Sequence, residues 1–176
     1  MKIFIKNMVS TSCKMVVKAE LDKIGVHYGE VELGEVQIEN PITAEQHNQL
    51  NAALLKSGLE LAEDHKTIIV EKIKVTIIEM VHETEQLPKT KNSCYISNKL
   101  HYDYTYLANV FSKVTGVTIE KFIIAHRIER AKELLLYNEL NLKQISYKLN
   151  YSSIAHLSSQ FKKVTGLTPT LFKQLG

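Results

Sequence analysis

Between residues 1 and 64 the apolar positions switch repeatedly between a two-residue and a helical period. Lys2 to Lys6 alternates, with Ile3 and Ile5 on one side, as a short strand does. Ser12 to Ile24 places Val16, Ala19, Leu21 and Ile24 at helical spacing, and Gly25 stands where a left-handed C-terminal cap belongs. Val26–Val31 and Glu35–Ile38 form a hairpin-like pair about Gly34. Thr43-Ala-Glu-Gln46 is a capping box, in which the Thr hydroxyl accepts from a first-turn amide and the Gln side chain reaches back. It opens a helix carrying Leu50, Ala53 and Leu54, closed at Gly58, and Leu59–Leu61 supplies a last strand. The order is βαββαβ, that of a ferredoxin-like split βαβ domain.

His65 to Glu83 is rich in β-branched residues, which taken singly favour a strand. The recurrence of Ile69, Ile73, Ile77 and Met80/Val81 is helical, so the pattern predicts one long helix that joins two domains and packs with the second. Thr84 to Thr90 follows as a loop, because Pro88 disfavours helix at the residue before it. The resulting division is a first domain at 1–64, a connecting helix and loop at 65–90, and an all-α domain at 91–176.

The last part of the chain is a repeat. Tyr106-Leu-Ala-Asn-Val-Phe-Ser-Lys-Val-Thr-Gly116 returns 50 residues later as His156-Leu-Ser-Ser-Gln-Phe-Lys-Lys-Val-Thr-Gly166. Ile96-Ser-Asn-Lys-Leu100 returns as Ile145-Ser-Tyr-Lys-Leu149, here 49 residues on, so the second copy has gained one residue in a turn. Each copy reads as helix, tight turn, helix. Leu107, Phe111 and Val114 line the second helix of the first copy, and Leu157, Phe161 and Val164 that of the second. His101 and Asn150 occupy the turn, where a left-handed residue is needed and His and Asn are enriched. Between the copies, Thr118 to Asn138 is one helix with Thr118 as N-cap and Ile124, Ile128, Ala131 and Leu135 as its apolar stripe. Asn141 to Gln144 is a second capping box, and Thr168-Pro169 starts a final short helix. The fold class is thus α+β: a ferredoxin-like domain followed by two helix-turn-helix units joined by a long helix.

Charge separates the same two parts. Residues 1–65 hold 6 Lys against 10 Asp and Glu, and the remainder holds 16 Lys and Arg against 9 Asp and Glu. A basic second half is the footprint of polyanion binding. No apolar run is long enough to span a bilayer, the N-terminus is too quickly polar for a signal peptide, and two distant cysteines form no disulfide framework, so the expected setting is the cytoplasm, with no membrane partner. Paired carboxylates at catalytic spacing, a nucleophile elbow and a phosphate-binding glycine loop are all missing, which argues against an enzyme.

Two resemblances add to this reading. Met8-Val-Ser10-Thr-Ser-Cys13, the following helix and Leu54-Leu-Lys-Ser-Gly58 resemble a heavy-metal-associated domain. That family carries C-x-x-C in this loop and binds soft metals. Here Ser10 replaces the first cysteine, so Cys13 is the single, weak candidate ligand, and no cofactor or metal is expected. A metal-responsive or metal-binding protein acting through this domain is the alternative function. Residues 68–175 resemble the DNA-binding domain of AraC/XylS-type transcription regulators. The resemblance rests on the paired units, on F-x-K-x-x-G at Phe111–Gly116 and Phe161–Gly166, and on G-x-T-P-x-x-F at Gly166–Phe172.

A sequence-specific regulator follows from that resemblance. The second helix of each unit enters a major groove of double-stranded DNA. With Leu107, Phe111, Leu157 and Phe161 turned inward, the candidate base contacts are Thr105, Ala108, Asn109 and Ser112, then Ser153, Ala155, His156, Ser158 and Ser159. The resemblance puts base contacts at Thr105 and Asn109 in particular. Asn pairs bidentately with adenine, and a Thr methyl packs on the thymine methyl. Lys113, Arg127, Lys143, Lys162 and Lys163 are the candidate phosphate contacts. The first domain is left as a sensor, a dimerisation element, or a docking site for RNA polymerase or another protein. The sequence leaves the oligomeric state open.

Overall fold

The computed structural model describes residues 1–83 and 90–176, and of these the side chain of every residue but Glu83. The proline-bearing loop expected at 84–90 lies outside the described residues except for Thr90. The chain divides into two compact units, Met1–Val75 and Thr76–Gly176.

The first unit runs β1 (Lys2–Lys6), α1 (Thr11–Lys23), β2 (Tyr28–Glu32), β3 (Glu35–Ile38), α2 (Ala44–Leu55) and β4 (Glu60–Ala62). Its four strands form an antiparallel sheet in the order β2-β3-β1-β4. Ile3 stands opposite Val36, and Ile5 opposite Leu61. Ile5, Val36 and Ile38 meet Val17 and Leu21 of α1 and Leu50 and Leu54 of α2 in a closed core. Gly25, Gly34 and Gly58 all take left-handed backbone, as the cap and turn positions require. The capping box at Thr43 forms in full, Gln46 N donating to Thr43 Oγ1 at 3.1 Å and Thr43 N to Gln46 Oε1 at 3.0 Å.

Helix α3 (His65–Ile78) crosses the division between the units and gives way to a π-helical turn at Glu79–Glu83. The expected single helix over 65–83 is therefore two kinds of helix. Its first part also packs with the first unit, where the second was expected. Glu71, buried, accepts from the Asn7 amide at 3.0 Å and from Lys74 at 2.7 Å, and Val75 joins the first unit's core. Lys72 Nζ lies 4.9 Å from the Phe4 ring. Phe4 points to the opposite side of β1 from Ile3 and Ile5. The β-branched run at Thr67–Val70 and Val75–Ile78 is helical because this burial outweighs its strand propensity.

The second unit continues with α4 (Asn92–Leu100), α5 (Tyr104–Thr115), α6 (Ile119–Tyr137), α7 (Leu142–Lys148), α8 (Ile154–Thr165) and α9 (Pro169–Leu175). Helix α6 turns Ile119, Ile123, Ile128, Ala131, Leu134 and Leu135 inward. The expected Ile124 is only half-buried, and Ile123 takes its place. Phe111 and Phe161 are fully buried and fix the two repeats identically. Phe111 meets Phe122 edge to face at 5.5 Å, and Phe161 meets Phe172 at 5.5 Å. Just beyond, Thr115 Oγ1 donates to the Phe111 carbonyl at 2.7 Å and accepts from Val117 N, and Thr165 Oγ1 does the same to Phe161 and Leu167 N. Gly116 and Gly166 close the helices with φ of 76° and 80°, where a side chain is strained.

Val114 and Val164 are a correction to the core. Each is 48% exposed. They lie on the apolar period but at the last turn, after the helix has already passed its buried Phe.

The π turn packs on α6 through a histidine pair. His82 Nε2 lies 3.3 Å from His126 Nδ1, the rings meet edge to face, and Phe122 covers His126 at 4.5 Å. One ring must donate and the other accept, so the contact holds a single proton. Burial depresses both imidazoles. Arg130 adds to this on His82 while Glu133 and Glu129 oppose it, and on His126 the His82 ring adds while Glu129 opposes.

Two outcomes follow. Phe161→Ala should cost about 3–5 kcal/mol, measured by urea unfolding, and should loosen α8 and α9 together. Because the folded state disfavours the charged imidazoles, the unfolded chain binds more protons as the pH falls through the ordinary value of 6.5. The urea midpoint should therefore be level above that pH and fall below it, and His126→Gln should flatten the fall.

Candidate nucleic-acid interface

In both repeats a short first helix, anchored by a buried isoleucine, precedes the second. Ile96 of α4 and Ile145 of α7 are fully buried, and each short helix ends at a left-handed residue, His101 (φ 58°) and Asn150 (φ 54°). The next helix then starts on a polar cap. The Asp103 carboxylate accepts from Thr105 N at 2.9 Å and Tyr106 N at 3.2 Å. Ser153 Oγ accepts from His156 N at 3.0 Å. The Asp103 cap is readable as an Asp just before a periodic run. Its neighbours His101, Tyr102 and Tyr104 obscure the helix start.

Below the caps, Leu107, Val110 and Phe111 of α5 and Leu157 and Phe161 of α8 are buried. On the other side of α5, Thr105 and Asn109 are exposed one turn apart, while Ala108 and Ser112 are half-buried at the margin. On α8, Ala155, His156 and Ser159 are exposed and Ser158 is half-buried. Ser153 is exposed as well, but its hydroxyl is engaged as the cap. His156 is braced, with Nδ1 3.1 Å from Ser152 Oγ and its ring edge to face with Tyr151 at 5.1 Å. Tyr151 is itself fixed by donating to Gln160 at 2.6 Å.

The position that answers His156 in the first repeat is Tyr106, which was not singled out from sequence. It is 40% exposed and stacks on Tyr102 at 5.7 Å. Its 50-residue correspondence with His156 was the available signal. Ile154, also 40% exposed, opens α8 on the same end.

Among the candidate phosphate contacts, Lys113, Lys143, Lys162 and Lys163 are all exposed. Lys113, Lys162 and Lys163 occupy the last turns of α5 and α8, where a cation also suits the helix dipole. Arg127 differs from these four. It is half-buried, its Nη2 donates to Asn92 Oδ1 at 3.1 Å, and burial lowers its pKa.

The loop before α1 brings Ser10 Oγ to 3.6 Å from Cys13 Sγ. Burial pushes the Cys13 thiol up, but hydrogen bonds from Ser10 and from backbone amides outweigh it and leave the pKa below the ordinary 9.0. Among the described residues no three His, Cys, Asp or Glu side chains converge to hold a metal ion. Among the same residues, no helix is long and apolar enough to cross a membrane.

Comparison with known proteins bears on the second unit. Residues 96–174 match the helix-turn-helix domain family. An uncharacterized HTH-type transcriptional regulator of Bacillus subtilis, YtdP, is 29% identical over 102 residues, which are 58% of this chain and 13% of YtdP. The C-terminal domain of AraT, a response regulator from Geobacillus stearothermophilus, superposes with a TM-score of 0.55 at 22% identity, over 64% of this chain and 89% of that domain. An AraC-type DNA-binding-domain regulator from Chromobacterium violaceum gives 0.50 at 20%, over 58% and 89%. The chain therefore carries a helix-turn-helix domain with the AraC-type fold.

Replacing Asp103 with Ala should cost about 1 kcal/mol, because it strips the acceptor from two first-turn amides of α5. Hydrogen exchange at Thr105 and Tyr106 should speed up while that at Leu157 stays unchanged.

Proposed function

We propose that this protein is a sequence-specific, DNA-binding transcription regulator of the AraC type. The observation that carries it is the pair of helices α5 and α8, seated on the same buried Phe and Thr-Gly corner and differing on their exposed faces. Identical seats give two helices the same presentation. Different faces give them different sequences to read.

In this reading α5 makes the sharper base contacts. Asn109 pairs with an adenine, and Thr105, one turn earlier, sets its methyl against a thymine. Ala108 and Ser112 line the margin of that groove. Helix α8 offers the short Ala155, Ser158 and Ser159 beside His156, and water bridges carry part of its readout. Ser153 acts there through the helix it caps. Neither face carries an arginine, so guanine readout is modest and DNA shape contributes more. Lys113, Lys143, Lys162 and Lys163 hold the backbone. Two such helices on one chain address successive major grooves, ~34–36 Å apart.

The first unit is read as a ferredoxin-like sensor, dimerisation or partner-docking module, with RNA polymerase among the partners. Its element order βαββαβ and strand order β2-β3-β1-β4 support that fold, and its acidic balance keeps it off the DNA.

Fluorescence anisotropy on a selected duplex, as a function of salt, tests the assignment. Asn109→Ala should cost about 1–3 kcal/mol on the preferred site and little elsewhere, narrowing the gap between specific and random DNA. Lys163→Ala should weaken both alike and reduce the salt slope by about one. Equal losses on both duplexes for Asn109→Ala would refute the base contact.

A further inference from the structure

Among the described residues, Arg127 is a half-buried cation with no carboxylate partner. Its Nη2 donates to the neutral amide of Asn92, and its Nε, closed to solvent, reaches no acceptor among the described residues. Arg130 Nε is likewise closed to solvent and without an acceptor among the described residues, but Arg130 also holds Glu133 at 2.7 Å, and Lys132 holds Glu129 at 2.6 Å. Among the described residues no carboxylate pairs with Arg127, and burial pulls its pKa down. A guanidinium taken partly out of water and left without a counter-charge is costly unless something supplies the charge.

The space beside it is large enough to admit a counter-ion. A cavity of about 630 Å³ is lined by Lys91, Asn92, Tyr104, Glu120, Ile123 and Arg127, among others. That is the size range of a small-molecule site. Lys91 adds a second cation. Among the described lining residues the one carboxylate is that of Glu120, which accepts a hydrogen bond from the Tyr104 hydroxyl and is engaged there. Ile123, almost wholly buried, gives an apolar patch of wall.

We propose that this cavity is a binding site for a small free oxyanion, a carboxylate or phosphate group of a metabolite-sized molecule, held by the planar guanidinium of Arg127 with Lys91 beside it. The fork of Arg matches the two oxygens of either group. The Asn92 side-chain oxygen accepts from one arm of that fork and holds it at the cavity wall. The walls come from the starts of α4 and α5, from α6 and from Asn150 after α7, so an occupant bridges the helices of the first repeat and the turn of the second. The site stands independently of the DNA contacts assigned to α5 and α8.

Calorimetric titration of the full chain with inorganic phosphate, and separately with succinate, tests this at an ionic strength held constant with sodium chloride. At least one of the two should bind saturably, one per chain, and raise the Tm. Asn92→Asp sets a carboxylate where Arg127 already donates, so it should leave the fold intact and weaken anion binding about tenfold or more. Lys91→Gln should weaken it severalfold, and it decides the matter if circular dichroism shows Asn92→Asp to be unfolded. No saturable binding beyond the effect of chloride, or undiminished binding by a folded Asn92→Asp, overturns the proposal. So does a result in which neither anion binds but both variants lower DNA affinity and flatten its salt dependence, because the guanidinium's partner is then a DNA phosphate.

Discussion

Everything distinctive about the second unit depends on two buried phenylalanines. Phe111 and Phe161 each stand at the third turn of a helix, edge to face with a second Phe from the helix that follows. The threonine four residues on ties its hydroxyl back to the Phe carbonyl, and a left-handed glycine then turns the chain. This corner fixes where each helix ends and which side of it is dry. Once Phe and the Leu one turn before it are buried, geometry alone exposes the residues two positions on either side of that stripe. Thr105 and Asn109, like Ala155 and Ser159, are surface residues because of a packing decision made on the opposite face.

The two repeats diverge wherever that constraint does not reach. Their caps differ in charge, Asp103 against the neutral Ser153, so a carboxylate stands at the start of α5 and none at the start of α8. Their first exposed turns differ in chemistry, stacked tyrosines in one and a Ser–His pair braced by Tyr151 in the other. Cations recur at the far ends, as Lys113 and as Lys162 with Lys163. The arrangement is that of a duplicated frame holding two different exposed faces. The half-buried Arg127 belongs to the frame by position, but among the described residues its Nε finds no acceptor and its Nη2 only the Asn92 amide, which separates it from the exposed lysines.

Features whose cause is local were legible in the sequence. The capping boxes at Thr43 and Asn141, the N-caps Thr118 and Thr168, and the glycines at 25, 34, 58, 116 and 166 each act on backbone within a few residues, and each takes the expected form. Features set by packing between distant segments were less legible. Val114 and Val164 obey the apolar period yet stay half-exposed at the final turn, past the buried Phe. Ile123 displaces Ile124 by one position in a stripe that either could fill. The π turn at Glu79–Glu83 is invisible to a helical period, although it sets His82 against His126. Arg127 read as one more surface cation, since exposure of a long side chain depends on neighbours such as Asn92, 35 positions away. Cys13 was legible only as half a motif, and its surroundings supply Ser10 and amides rather than further ligands.

The central claim is that one chain carries two reading helices that differ in sequence preference. Selection of duplexes from a random pool by the purified protein tests it most directly. The account predicts an asymmetric site with two separately enriched blocks about one helical turn apart, the block read by α5 being the more sharply defined and containing an adenine. Recovery of a pool with no enriched sequence, or of a perfect repeat of one block, would contradict it.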